Sequence, residues 1–177
     1  MNPMRALVRL TPALVITTAA ALAVAAAPAR AADPPYLKLA QALGTPHLAE
    51  STGPKDHSSL QLKFTPDGES ADKFTKLTTI SILKVDPTPA DTESAARGVI
   101  VRLRDAVKSR KADVKTFDES PLPPVTLFYE FSGDGDTSKG VVYTPSYGFV
   151  AAIQLDVKNG GTIRPADVAT LKSVIGK

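Results

Sequence analysis

Residues 58–65 alternate in polarity: Leu60, Leu62 and Phe64 are interleaved with Ser59, Gln61 and Lys63. A period of two predicts a half-buried strand, and Pro66-Asp67-Gly68 supplies the turn chemistry that ends it. Residues 77–85 are rich in β-branched side chains and read as a second strand, stopped by Asp86-Pro87. The period then changes. Ala96, Val99, Ile100, Leu103 and Val107 recur at spacings of three and four, which is the stripe of an amphipathic helix. Thr88, Pro89 and Asp91 mark its start with a cap, a first-turn proline and an acid. Gly98 costs that helix roughly 1 kcal/mol relative to alanine and suggests a close approach to the sheet. Further strands are expected at 114–117, 125–131, 141–144 and 149–157, the last three joined as an antiparallel meander. Residues 125–131 carry aromatics on both sides and read as a central strand. A short helix over 36–43, closed by Gly44, opens the domain, and a helix over 165–175 closes it. Residues 45–57 read as a polar loop, 70–74 as a single helical turn and 133–140 as a loop. The order α-β-β-α-β-β-β-β-α has no βαβ alternation. It predicts an α+β fold, an antiparallel sheet of about six strands with helices packed on it.

The first 31 residues follow a different rule. Arg5 and Arg9 precede an apolar run over 14–27, and Ala29-Arg30-Ala31 then offers small residues at −3 and −1. This is the pattern of a secretory signal peptide cleaved after Ala31. The run is too rich in Ala and Thr to make a strongly apolar span. No Arg-Arg pair is present for the twin-arginine route. The expected organisation is a leader over 1–31, a tether over 32–35 and one domain over 36–177, periplasmic or secreted, with no stable membrane anchor after cleavage.

Removing the leader changes the charge. The whole chain has 21 basic and 18 acidic residues, net +3. Arg5, Arg9 and Arg30 leave with the leader, and the remaining 18 bases balance the 18 acids. The overall attraction to nucleic acid that a pI near 9.1 suggests therefore loses its basis. The chain has no cysteine, which excludes thiol catalysis and thiolate metal sites. A domain of this length buries roughly 68–70% of its unfolded surface and needs no disulfide.

Candidate chemistry is sparse. Asp134, Asp136 and Ser138 match the first, third and fifth positions of a calcium loop, but Lys139 and Pro145 stand where the glycine and the bidentate acid belong. His47 and His57, with Glu50 and Asp56 nearby, lack zinc-helix spacing. Asp118 with Glu119, or Glu130 with Asp134, could supply the two carboxyls a glycosidase uses. No G-x-S-x-G elbow is present. The expectation is no catalytic residue, no metal and no cofactor. The strongest candidate for a partner-binding patch is the basic surface of the main helix: Arg97, Arg102, Arg104, Lys108, Arg110 and Lys111. With Lys115 these make seven bases, facing two acids, Asp105 and Asp113.

Phe64-Thr-Pro-Asp-Gly-Glu-Ser70, Phe74-Thr75 and Leu77-Thr-Thr79 resemble a group of small exported bacterial proteins of unassigned function. In that group an F/Y-x-P-x-G-(E/Q) turn precedes an aromatic-Thr pair and a Thr-rich strand; Phe74 stands where the group often has Trp. The element order is similar to the PsbP-like α/β/α sandwich. That resemblance implies a binding protein, and no functional residue carries over from it. The expected function is a non-enzymatic binding or interaction module of the cell envelope, its partner a protein or envelope component. The competing expectations are a hydrolase or transferase acting on an envelope polymer through loop carboxylates, and an immunity or inhibitor protein.

Overall fold

The computed structural model of the chain describes residues 35–133 and 135–176. The leader, the cleavage point and nearly all of the tether lie outside them, as does Asp134. The described residues form helix α1 (Pro35–Ala42), strands β1 (His47–Thr52), β2 (Ser59–Thr65) and β3 (Lys76–Lys84), helix α2 (Pro89–Ser109), strands β4 (Asp113–Glu119), β5 (Leu127–Gly133), β6 (Asp136–Ser146) and β7 (Phe149–Val157), and helix α3 (Pro165–Val174). The strands build one sheet in the order β1-β2-β3-β7-β6-β5-β4, with every neighbouring pair antiparallel. The α+β class is as expected, with one strand more than the sequence pattern suggests.

Two expected loops contribute that extra structure. β1 lies within residues 45–57, where the polar run HLAEST disguises it; it pairs only with β2 and buries little. Residues 136–140 extend β6, so the turn from β5 is tight. Gly140 belongs to the strand because Tyr129 lies across it: a Cβ there would sit 2.4 Å from the Tyr129 ring and 2.5 Å from the Ile153 carbonyl. Residues 70–74 form a non-helical turn, closed by reciprocal Ser70 and Lys73 backbone hydrogen bonds of 3.4 and 3.2 Å. The two edge strands, β1 and β4, each carry a register irregularity, a feature that discourages edge-to-edge pairing.

The alternation along each strand sorts the core into two clusters. Ile80, Val141, Ile153 and Leu155 face α1 and α3, and pack with Leu43 and Leu171. Leu127, Tyr129, Val142 and Val150 face α2, and pack with Ala96, Ile100 and Val107. The helices therefore lie on both faces, α1 and α3 on one and α2 on the other. Gly98 meets nothing within 4 Å of an added Cβ, so the close approach expected there does not occur.

The two faces are covered unequally. α2, with 21 residues, spans roughly 30 Å at 1.5 Å per residue. α1 and α3, with 8 and 10 residues, span roughly 12 and 15 Å. β6 and β7, with 11 and 9 residues, run to roughly 30 Å or more. The single long helix matches the sheet in length, and the two short ones leave part of their face open.

Three polar fastenings hold the helices. Thr45 Oγ1, buried after α1, lies 3.1 Å from the Ala40 carbonyl and 2.7 Å from Thr78 Oγ1 on β3. Asp167, fully buried in the first turn of α3, accepts from Lys76 Nζ at 2.9 Å and from Arg164 Nη2 at 2.7 Å. Thr88 caps α2, accepting from the Asp91 amide at 3.1 Å. One turn further on, Thr92 Oγ1 donates to the Thr88 carbonyl at 2.7 Å and accepts from the Gly148 amide at 2.9 Å.

Candidate ligand-binding cleft

The uncovered part of the α1/α3 face is a cleft of about 710 Å³. Its floor is the sheet: Ile80 and Ile82 from β3, Ala151 and Ile153 from β7, and Tyr143 from β6. Strand alternation places these side chains on one face. The small side chain of Ala151 at the centre leaves depth between its larger neighbours. Tyr36 and Leu39 of α1 and Val174 of α3 form the walls, because α1 begins and α3 ends at this pole. Pro145, Ser146 and the half-exposed Phe149 rim the mouth. A second groove of about 530 Å³, lined by Lys55, His57 and Leu60 among others, shares Ile82 and Phe149 with the first. The apolar floor thus continues toward the β1–β2 loop.

Among the described residues, Lys38 is the only charged one lining the main cleft. It forms no ion pair among the described residues. Burial pushes the Tyr143 phenol up from its ordinary range. An apolar concavity with a few convergent polar groups is the usual form of a small-molecule site.

The residues singled out by sequence fall elsewhere. Successive α-helical residues are rotated by about 100°. Arg97, Arg104 and Lys108 therefore share one stripe of α2, while Arg102 lies roughly 140° away; Arg110 caps the helix end and Lys111 follows it with a left-handed φ of 52°. Glu119 of β4 takes up both Arg97, at 3.5 Å, and Arg104, at 3.1 Å. Arg104 also lies over the Phe117 ring, 4.8 Å from its centroid. Arg102 lines a shallow groove beside β2 and β3, and Arg110 borders a polar pocket at the opposite pole. The six bases do not make one surface. Lys115 pairs with Asp113.

The other candidates are likewise dispersed. His47 begins β1 and His57 lies beyond its far end, so the strand separates them. Glu50 pairs with Lys63 at 2.8 Å, and Asp56 accepts from the Ser58 amide at 3.0 Å. No group of three metal-ligating side chains occurs among the described residues. Asp136 and Ser138 lie on β6, not in a loop. Of the suggested carboxylate pairs, Glu119 is held by the two arginines and Glu130 by Lys139 at 2.9 Å.

A carboxyl that sequence reasoning passed over is Asp156 on β7. Its Oδ1 accepts from Ser138 Oγ at 2.5 Å and from Gln154 Nε2 at 2.7 Å, and Tyr129 donates to Gln154 Oε1 at 3.0 Å. Burial raises its pKa against the pull of those hydrogen bonds and of Arg110. With Asp136, Arg110 and Phe74 it lines the polar pocket of about 320 Å³. No helix of the described residues is long and apolar enough to cross a membrane. The chain matches no known protein-family model and no curated protein.

Proposed function

We propose that this protein is an exported, non-enzymatic binding module of the cell envelope, and that it holds the apolar part of its ligand in the cleft between α1, α3 and the sheet. The observation that carries this reading is the mismatch of lengths. Two short helices leave an apolar floor of Ile80, Ile82, Ala151 and Ile153 open at one pole, whereas the opposite face is roofed by α2 along its length. Apolar floor left in water costs about 25 cal/mol per Å² that a ligand would recover. The leader-like N terminus supports export. An antiparallel sheet with helices on both faces supports kinship with the PsbP-like sandwich, a fold of binding proteins, as an analogy of architecture. The carboxylates proposed for an envelope hydrolase give that alternative no comparable support, because Glu119 and Glu130 are engaged in ion pairs.

The test is titration with N-phenyl-1-naphthylamine, a neutral apolar fluorophore. The exported, purified protein is expected to bind it saturably at one site. Ala151→Phe fills the floor and is expected to abolish binding while circular dichroism stays unchanged. If overpacking, about 1–3 kcal/mol, unfolds that variant, Ser146→Trp at the mouth serves instead. Absence of saturable binding, or full binding by both folded variants, overturns the reading.

A further inference from the structure

We infer that the ligand of this cleft is an anionic amphiphile: one apolar chain on the β3–β7 floor, and a carboxylate or phosphate head at the rim beside Lys38. The inference rests on the binding reading above and adds the chemistry of the ligand.

The polar side chains of the rim, one ammonium and the hydroxyls, can all donate. None of the described residues lining the cleft is Asp, Glu, Asn or Gln. Lys38 brings an ammonium without an ion-pair partner, whereas Lys63, Lys76 and Lys139 are each tied to a carboxylate. The hydroxyls of Tyr143 and Ser146 have no hydrogen-bond partner among the described residues. No buried polar side-chain atom of the described residues goes unsatisfied, so these hydroxyls open to the cleft or to solvent. Three free donor groups around an apolar floor are complementary to an acceptor-only head, which is what an ionised carboxylate or phosphate is. Among the described residues, a cationic head meets Lys38 and no counter-charge. A neutral polyol head finds hydroxyl partners at Tyr143 and Ser146 but leaves the Lys38 ammonium without a counter-charge.

The dimensions favour a single chain. A volume of about 710 Å³ lies inside the roughly 300–1,000 Å³ range of small-molecule sites. The adjoining groove, continuous through Ile82 and Phe149, takes the end of a longer chain.

The test is displacement of N-phenyl-1-naphthylamine from the purified protein by four twelve-carbon or comparable single-chain compounds below their micelle concentrations: laurate, lysophosphatidylglycerol, dodecyl maltoside and dodecyltrimethylammonium. Either or both anions are expected to displace the fluorophore at concentrations about tenfold lower than the neutral and cationic compounds. Laurate alone identifies a free carboxylate head, and lysophosphatidylglycerol alone a phosphate head. Lys38→Glu is expected to erase that preference, and Lys108→Glu, on the other face, to leave both the preference and fluorophore binding unchanged. If the four compounds displace alike, or the preference survives Lys38→Glu, the inference fails and the binding reading stands. If the fluorophore does not bind, both fail.

Discussion

Removing the Asp167 carboxyl is expected to loosen α3 at a cost that can be worked from its contacts. The side chain is 0% exposed, and it joins Lys76 on β3, itself 17% exposed, to Arg164 before the helix. It also accepts from the Arg164 amide at 3.2 Å. Breaking a buried ion pair on one side costs about 3–5 kcal/mol. The Arg164 guanidinium is 62% exposed, so its arm adds no more than about 1 kcal/mol. Lys76 retains some water, which places the loss for Asp167→Ala at the lower end, about 3 kcal/mol. Small domains have about 5–15 kcal/mol in total, so the change is large. Burial opposes the charge of Asp167, and the hydrogen bonds from Arg164 and Lys76 outweigh it, holding the carboxyl below its ordinary 3.8. A group depressed in the folded state stabilises fully above its unfolded value and loses that effect as pH falls through the folded value. Urea unfolding of wild type and Asp167→Ala should therefore show the full gap at pH 7 and a shrinking one below pH 3.8. A gap under about 1 kcal/mol at pH 7, or one that persists undiminished at pH 3, would refute the argument.

Two other substitutions have definite expected signs. Asp156→Asn should be more stable than wild type at pH 7, with the advantage fading as pH falls through the raised folded value and gone below 3.8, because burial raises this carboxyl and its ionisation opposes folding; a less stable variant at pH 7 contradicts it. Gly140→Ala should lower stability by about 1–3 kcal/mol, since its Cβ would meet both the Tyr129 ring and the Ile153 carbonyl, and a thermal midpoint unchanged from wild type would show that Tyr129 moves aside freely.

The legible parts of the fold are those where side-chain period and burial agree. The α2 stripe, the Leu60-Leu62-Phe64 alternation and the meander of β5, β6 and β7 belong to this group. β1 escaped because an edge strand with one partner needs no buried alternation. The start of β6 escaped because Ser138, Lys139 and Gly140 resemble a turn when read alone. Their strand partners explain them: Asp156 for Ser138, Glu130 for Lys139 and the Tyr129 ring for Gly140. The partners of the basic helix were hidden for the same reason. Glu119 neutralises Arg97 and Arg104 from another element, and no periodicity within α2 announces that. The cleft joins Tyr36, at the start of the domain, to Val174, near its end. Its only local signal was the small Ala151 between Phe149 and Ile153 on one strand face, together with two terminal helices too short for their sheet.

The Thr92–Gly148 hydrogen bond gives that cleft a means of being read from outside. Gly148 follows Pro145 and Ser146 at the mouth on one face, and its φ of +88° with Pro87 close behind leaves the turn little room to rearrange. Thr92 belongs to the first turn of the helix roofing the other face. Under the proposed binding, a guest that shifts the 145–148 turn is expected to strain or release this bond, which joins that turn to the helix on the other face. The Gly148 amide resonance is therefore expected to shift on adding N-phenyl-1-naphthylamine, and an unmoved resonance under saturating fluorophore would show that the turn does not respond.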